Sequence, residues 1–239
     1  MIEKFEKLQL IWLAVILALG LILAVFFGTR TVSNDKISVT GSAYKIVKSD
    51  SARLDFEIVS REPNKQMAYN KVKSQLPVVL EYLKGKGITD IDVLATNGYN
   101  TYKYSINGNM TNDIAYYNLS QEIIIKSDDV NKIKEISSDI QSLLDKGIDI
   151  NIHNTEYFYS KLGDLKVELL EDATKDAKER AKAMLKATHN RPGKIQSVQM
   201  GVFQITPVDS TNVSDMGIND TGTIDKKVTA VANVVFRIK

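Results

Sequence analysis

Cysteine is absent from the 239-residue chain. Its absence excludes thiolate catalysis, zinc sites with cysteine ligands and a disulfide framework, although a protein without thiols suits an oxidising compartment. Because no disulfide is available, the fold must rest on packing alone. A soluble part of roughly 200 residues is large enough to bury a hydrophobic core of its own.

An excess of charge of either sign is also missing. The chain has 31 Lys and Arg against 29 Asp and Glu, which gives a formal net charge of +2. Such a balance creates no overall field that would attract nucleic acid or an anionic membrane surface. We therefore expect no nucleic-acid partner.

Residues suited to catalysis are few. The two histidines, His153 on a predicted strand and His189 at a predicted helix end, have no carboxylate at the spacing of a metal site or a catalytic triad. A polar stretch near the C-terminus offers oxygen ligands to a hard cation, but it lacks the glutamate that closes a calcium loop. We expect this stretch to be a solvated flexible loop, and we predict no catalytic, cofactor or metal site. Its candidate oxygen donors are Asp209, Asp215, Asn219, Asp220 and Asp225.

A long apolar run is present near the N-terminus. No charged residue occurs from Leu8 to Gly28, and a helix of this length spans roughly 30 Å, the thickness of the hydrocarbon layer. The alternative is a cleaved signal peptide, which has a shorter apolar core and small residues at the cleavage site. Phe26 and Phe27 occupy the place where the small residues should lie. We therefore predict an uncleaved membrane anchor.

From this anchor we predict the organisation of the whole chain, with the lipid bilayer as one of its partners. Positive charges do not orient the span, because Lys4 and Lys7 precede it while Arg30 and Lys36 follow it. We place the large domain outside the cytoplasm, in the periplasm or on the cell surface, since a single N-terminal anchor commonly exports the domain behind it. The predicted segments are a short cytoplasmic N-terminus (residues 1–7), a transmembrane helix (8–28), a linker (29–36) and a soluble domain (37–239).

Small residues recur along the predicted span. A spacing of four residues places them on shared helix faces, where they let the backbones of neighbouring spans approach closely. The alternative is that Ala and Gly are simply common in membrane helices. The residues predicted to pack between helices are Ala14, Ala18, Gly20, Ala24 and Gly28.

The sequence pattern of the soluble part predicts an α+β fold with largely antiparallel mixed sheets and three packed helices. Its periodicity gives the order ββαββαβαββ, in which strands and helices do not alternate regularly. The first two strands are predicted to form a hairpin, and the strands over 91–104 and 114–126 a second one with a polar tip at Asn107-Gly108-Asn109. Pro77 is predicted to kink or divide the first helix, and Ser127 to cap the second. The predicted strands are 37–48, 52–60, 91–104, 114–126, one that begins at residue 148, 195–205 and 224–238. The predicted helices lie between residues 63 and 87, between 127 and 147, and over 165–187.

Tyrosines are concentrated in or near the predicted strands. Exposed tyrosines are favoured at protein interfaces, since they bury a large area with little loss of side-chain entropy. The alternative is packing in the core, with one face of the sheet in water. The candidates for an interface are Tyr99, Tyr102, Tyr104, Tyr116, Tyr117, Tyr157 and Tyr159.

Four stretches follow one another in a characteristic order. The sequence ISVTGSA opens the soluble part at Ile37, the end of the first helix and the next strand occupy Lys84 to Asp92, an Ala-rich helix covers Leu169 to Ala183, and a last strand follows Gly222. In order and spacing these stretches resemble the SIMPL-domain family. The chain departs from that family's pattern near Asn190, where a family glycine is replaced by Pro192-Gly193 slightly later.

This resemblance implies an α+β fold that assembles into homo-oligomeric rings or cages. It carries over no catalytic residue, and it links the chain to the cell envelope and to oxidative stress. Together with the anchor, it predicts a non-enzymatic membrane-anchored protein whose partner is a second copy of itself. The alternatives are a module that binds a small molecule or envelope component, and an extracytoplasmic hydrolase with paired carboxylates.

Overall fold

The computed structural model describes residues 12, 13, 15–26 and 35–239. Residues 12, 13 and 15–26 are helical, and the small residues Ala18, Gly20 and Ala24 are exposed on this helix. Ala14 and Gly28, the predicted N-terminus and nearly all of the predicted linker lie outside the described residues. Within the described part, no helix has both the length and the hydropathy required to cross a bilayer.

The soluble part has an α+β fold with mixed, largely antiparallel sheets, as predicted. Its strands are β1 (Lys36–Lys48), β2 (Ser51–Glu62), β3 (Asp90–Tyr104), β4 (Met110–Ser127), β5 (Asp149–Phe158), β6 (Pro192–Met200), β7 (Gln204–Pro207), β8 (Ile218–Asn219) and β9 (Asp225–Ile238). Its helices are α1 (Lys65–Gly85), α2 (Val130–Asp139), which continues as a 3-10 helix (Ile140–Lys146), and α3 (Leu162–Lys186).

The chain divides into two compact units. The terminal unit contains the described residues of Met1–Gly41 together with Thr174–Met200 and Ala232–Lys239, and the central unit contains Ser42–Ala173 and Gly201–Val231. The strands β1 and β9 and the helix α3 contribute residues to both units.

The central unit is built on a four-stranded antiparallel sheet in the order β3-β4-β2-β5. Strand β2 lies between two neighbours, and every second side chain along it is buried. On its covered face Phe56 lies opposite Ile123 of β4 and Ile152 of β5. Side chains of α1 and α2, such as Leu83 and Ile133, are fully buried in the same core. The alternate side chains of β2 and the apolar faces of α1 and α2 therefore pack together in one core, as the sequence pattern predicts.

A second sheet has the order β1-β9-β7-β8, with β6 also paired to β9. The predicted hairpin of the first two strands is wrong, because β1 and β2 belong to different sheets. The turn between them is held by other segments: the Ser49 N–H donates to the Ile224 carbonyl and the Asp50 N–H to the Phe158 carbonyl, both at 2.9 Å. The Asp50 carboxylate also accepts hydrogen bonds from the N–H and hydroxyl of Ser160. These hydrogen bonds direct the chain from β1 into the other sheet, so that β2 does not pair with β1.

The strand predicted over 195–205 is two strands. Both β6 and β7 pair with β9, but the pairing breaks between Met200, opposite Ala232, and Gln204, opposite Thr229. Such an interruption is typical of a β-bulge, which adds residues to one strand only. A short strand that the sequence did not indicate, β8, then pairs in parallel with β7.

The helices largely follow their predicted apolar stripes, but Met67 of α1 and Met184 of α3, both predicted on a stripe, are exposed. Helix α1 is continuous through Pro77, which lies on the exposed face where water can satisfy the carbonyl freed by the missing donor. The side chain that caps α2 is Asp129, which accepts a hydrogen bond from the Lys132 N–H, and not Ser127. Since the last turns of this segment form a 3-10 helix with only three residues per turn, Leu144 leaves the predicted stripe and is exposed.

Candidate functional site: the hairpin of β3 and β4

The predicted second hairpin is present, and it extends beyond its sheet. Strand β2 ends opposite β4 with the pair Glu62 and Tyr117. Strand β3 continues to pair with β4 as far as Tyr104 and Met110. We call residues 101–116, which form this two-stranded extension in the central unit, the hairpin arm.

The tip of the hairpin arm is a compact turn. The Ser105 N–H donates to the Asn109 carbonyl at 2.8 Å, and the Gly108 N–H donates to the Ser105 carbonyl at 2.9 Å. Gly108 has a φ of 78°, in the left-handed region that glycine adopts easily. Just behind the turn, the Thr111 hydroxyl donates to the Lys103 carbonyl at 2.9 Å. The polar tip predicted from the sequence is therefore confirmed.

Large apolar and aromatic side chains cover the arm and its base. Tyr99 is 71% exposed and Tyr104 is 69% exposed, while Ile106 at the tip is fully exposed. An isolated two-stranded hairpin is only marginally stable in water, and a cluster of exposed apolar groups is typical of an interaction surface. The other large exposed side chains of this surface are Tyr102, Met110 and Tyr116.

Strand β3 also presents an open edge, because it is the last strand of the four-stranded sheet. From Thr96 to Thr101 it pairs with β4 in unbroken register. Residues 93–102 include no charged residue and no proline, the two devices that commonly protect an exposed edge from pairing with another chain. The charged residues of β3 are confined to its ends, at Asp90, Asp92 and Lys103.

Buried polar side chains of β4 hold β3 in place. The amide nitrogen of Asn118 donates to the Thr101 hydroxyl at 2.7 Å. Gln121 accepts a hydrogen bond from the Thr96 hydroxyl at 2.7 Å, and its amide donates to the Leu94 carbonyl. Both amides are largely buried, where satisfied polar networks are rigid and losing a partner is costly. The base of the hairpin is therefore fixed even though its outer face is exposed.

A glycine allows this close approach. A Cβ atom added at Gly98 would lie 2.8 Å from the Asn118 carbonyl oxygen and 2.8 Å from Cδ2 of Leu119. Both distances are shorter than real Cβ contacts, and the backbone oxygen cannot move aside as the end of a side chain can. Gly98 is therefore required for β3 to lie against β4 in this register.

The structure brings together four of the seven predicted tyrosines. Tyr99, Tyr102, Tyr104 and Tyr116 lie on the hairpin arm or at its base, and the Arg61 guanidinium lies 4.3 Å from the centre of the Tyr116 ring. The other three lie apart from this exposed surface. Tyr117 packs against the small cluster of Ala68, Val72 and Leu119, Tyr157 is buried in the core, and Tyr159 is half-buried.

The apolar residues Ile106 and Met110 at the tip were not predicted from the sequence. A signal for Ile106 was present, because Tyr102, Tyr104 and Ile106 alternate with Lys103 and Ser105. A spacing of two residues predicts a shared face in an extended strand.

Few side chains elsewhere in the described residues are arranged for catalysis or metal binding. His153 Nε2, at an exposed position of β5, lies 3.6 Å from Oε2 of the half-buried Glu57 on β2. His189 follows α3 in the terminal unit, with a φ of 59°. The described chain contains no group of three or more His, Asp or Glu side chains arranged to hold a metal ion.

The polar stretch near the C-terminus contains a buried ion pair that the sequence did not indicate. Lys226 Nζ lies 3.3 Å from Asp220 Oδ2 and donates to the Asp220 carbonyl at 2.7 Å. Burial lowers the pKa of Lys226, and the nearby Asp220 carboxylate opposes this only in part. Burial raises the pKa of Asp220, but the Thr223 hydroxyl, the Lys226 ammonium and the Gly222 N–H together lower it further, so that the net shift is downward.

The stretch predicted to be a solvated flexible loop contains no buried residue from 208 to 225, but side chains of the flanking strands bind it at two points. The Gln204 side chain donates to the Ser214 carbonyl at 2.7 Å and accepts from the Ser214 N–H at 3.3 Å. Lys227 Nζ donates to the Ser210 carbonyl at 2.7 Å. The stretch is therefore tied to the strands that flank it.

Open grooves also lie on the central unit. The larger one, about 710 Å³, is lined by apolar side chains such as Ile46 and Ile224 and by charged ones such as Lys134 and Asp209. A second, about 670 Å³, carries charges of both signs, and its Lys126 pairs with Asp92 at 2.9 Å. Since their linings are mixed and open, neither groove favours one class of ligand.

Comparison with known families identifies the chain. The family model SIMPL, described as a protein of unknown function (DUF541), matches residues 37–236. The chain belongs to the SIMPL family. The SIMPL match covers the whole central unit, including the hairpin arm, and part of the terminal unit, and it confirms the resemblance seen in the sequence. A search of curated proteins found no match. Because the family description assigns no activity, the function of this SIMPL protein must be inferred from its surfaces.

Proposed function

We propose that this SIMPL protein is a membrane-anchored, non-enzymatic protein that self-assembles into a homo-oligomeric ring or cage at the cell envelope. Its apolar N-terminal segment is the anchor, and its soluble part lies outside the cytoplasm. The observation that supports assembly is the hairpin arm, which carries Tyr102, Tyr104, Ile106 and Met110 into solvent on a two-stranded extension.

A second copy of the chain suits this surface for two reasons. The open edge of β3 offers backbone donors and acceptors to another strand, a common mode of recognition between chains. The tyrosines at its base supply the aromatic anchors that dominate the binding free energy of protein interfaces. A ring requires that the arm contact a different surface of the neighbouring copy, whereas two arms that contact each other would close a dimer.

Membrane anchorage favours this assembly. Chains tethered to one bilayer meet at a much higher effective concentration than free chains, so a modest interface is sufficient. In the proposed assembly the small residues of the apolar segment, including Gly20 and Ala24, pack between neighbouring spans beneath the soluble units.

The experiment that tests the proposal measures the mass of the full-length protein in mild detergent by size-exclusion chromatography with light scattering. We expect an oligomer that dissociates in the variant Tyr104→Ser with Ile106→Ser. The matched control is Val213→Ser with Met216→Ser, which removes two equally exposed apolar side chains elsewhere on the central unit and should leave the mass unchanged. A wild-type monomer at all concentrations, or an arm variant with the wild-type mass, would contradict the proposal.

A further inference from the structure

A groove of about 680 Å³ lies beside the C-terminal end of α3, within the terminal unit. Three lysines of α3 line it at intervals of four residues, which places them on one face of the helix. The turn after the helix supplies the rest of the lining. The side chains that matter here are Lys178, Lys182, Lys186, His189, Asn190 and Arg191.

The lining is basic, and none of the residues that form it is acidic. Lys182 has a carboxylate partner one turn away, Glu179, at 2.6 Å. The helix dipole favours cations within the last turn, which accounts for Lys186 but not for Lys178, two turns earlier. Because like charges four residues apart repel each other, an anion supplied from outside the chain would stabilise this face.

The groove lies where the chain enters the folded domain from its apolar segment. Arg191 and Lys239 exchange two backbone hydrogen bonds of 2.9 Å, and the neighbouring Ile238 N–H donates to the Asp35 carbonyl at 2.9 Å. Asp35 is therefore close to the basic groove. The apolar run ends at Gly28, and the chain from there to Asp35 spans at most about 25 Å.

We propose that this groove binds the headgroups of anionic phospholipids in the bilayer that holds the protein's own apolar segment. The inference rests on the membrane anchorage proposed above and adds a second contact with the membrane. Clusters of Lys and Arg beside a membrane span attract anionic lipid, and the attraction acts over about a Debye length. The short connection from Gly28 to Asp35 allows the groove to lie against that surface. The contact fixes the tilt of the terminal unit above the bilayer.

The test measures lipid binding to the full-length protein in mild detergent by native mass spectrometry. The probes are phosphatidylglycerol, which is anionic, and phosphatidylcholine, which has no net charge. We expect tighter binding of phosphatidylglycerol, and a loss of about twenty-fivefold in its affinity in the variant Lys178→Gln with Lys186→Gln, at about fivefold for each lysine. The matched control, Lys65→Gln with Lys73→Gln, removes the same charge from exposed positions of α1 and should bind phosphatidylglycerol like the wild type.

Several outcomes would overturn the inference. Equal affinity for both lipids, or an unchanged affinity in the Lys178 and Lys186 variant, would show that the groove does not select anionic lipid. Displacement of phosphatidylglycerol by equimolar inorganic phosphate or by an oligonucleotide would assign the groove to a soluble anion. Failure of anchorage is recognised separately: the protein would leave reconstituted vesicles during an alkaline wash. Melting of each variant by circular dichroism checks that the fold is intact.

Discussion

Strands β2 and β3 belong to the same four-stranded sheet, yet they are used in opposite ways. Strand β2 lies between β4 and β5, and alternate side chains such as Leu54, Phe56 and Ile58 are fully buried. Strand β3 lies at the edge and is longer, and none of its 15 residues is buried. Ile91 of β3 packs against the core, but a strand without a buried side chain that retains exposed aromatic and apolar side chains is suited to contact another chain.

The largest expected effect comes from truncating an aromatic side chain on each strand. Phe56→Ala removes a fully buried ring from β2 and should lower the free energy of unfolding by about 3–5 kcal/mol. Tyr99→Ala, on the exposed face of β3, should change it by less than about 0.5 kcal/mol while reducing the oligomer mass. Urea denaturation and light scattering measure the two quantities. A large loss of stability in Tyr99→Ala would make β3 an ordinary core strand.

The second effect tests the fit of β3 against β4. Gly98→Ala places a Cβ atom 2.8 Å from the Asn118 carbonyl oxygen, and we expect a loss of about 1–3 kcal/mol, with faster hydrogen exchange confined to the hairpin. Gly85→Ala is the matched control, because a Cβ atom there meets nothing within 4 Å. If both variants exchanged like the wild type, the proposed close approach of the two strands would be wrong.

A smaller effect on stability, but a clear one on assembly, is expected from a charge placed on the open edge. Asn97→Lys adds a cation to the uncharged stretch of β3, where lysine disfavours pairing with another chain. The oligomer should weaken while the midpoint of urea denaturation stays within the range of a surface substitution. Gln141→Lys adds the same charge on the exposed 3-10 helix, so an equal loss of mass in this control would indicate a general effect of charge.

The smallest effect concerns the helices that cover β2. Tyr82 donates to Asp139 at 2.9 Å, and Lys86 lies 3.1 Å from the same carboxylate. The Tyr82 hydroxyl and then Lys86 lower the pKa of Asp139, so this contribution to stability is present above the ordinary pKa of Asp and is lost as pH falls below it. Burial and then Asp139 raise the pKa of Tyr82 to about 12, so its contribution is lost as pH rises from 10 through 12.

Replacement of Tyr82 tests whether this network stabilises the helices over β2 without affecting β3. Tyr82→Phe should flatten the dependence of urea stability on pH at both ends, because it removes one partner of Asp139. Hydrogen exchange in the hairpin arm should not respond, since β3 is not packed beneath this network. An unchanged acid dependence in Tyr82→Phe would show that Lys86 alone sets the pKa of Asp139.

The features of the fold that depend on local periodicity were predictable from the sequence. The stripes of α1 and α2, the alternation along β9 and the turn at Gly108 all follow from patterns of a few residues. The features that depend on distant partners were not. The sheets of β1 and β2 are decided by bonds from Ser49 and Asp50 to segments more than 100 residues away, and no local pattern records them.

The candidate site shows the same division. The tyrosines in the sequence indicated the strands of the candidate site. Tyr157 is buried in the core while Tyr104 is exposed on the arm, and this difference depends on the tertiary structure. The near-zero net charge likewise conceals the local cluster around Lys178 and Lys186, because it averages over the whole chain.

The most direct test of the account is photo-cross-linking in native membranes, with the full-length protein carrying benzoylphenylalanine in place of Tyr104. The account predicts a product of twice the chain mass, whose cross-linked peptides both come from this chain. The same group at Met216, which is 94% exposed on the central unit, should give far less of it. A Tyr104 product no more abundant than the Met216 product, or one joined only to other proteins or to lipid, would contradict the claim that the hairpin arm contacts a second copy.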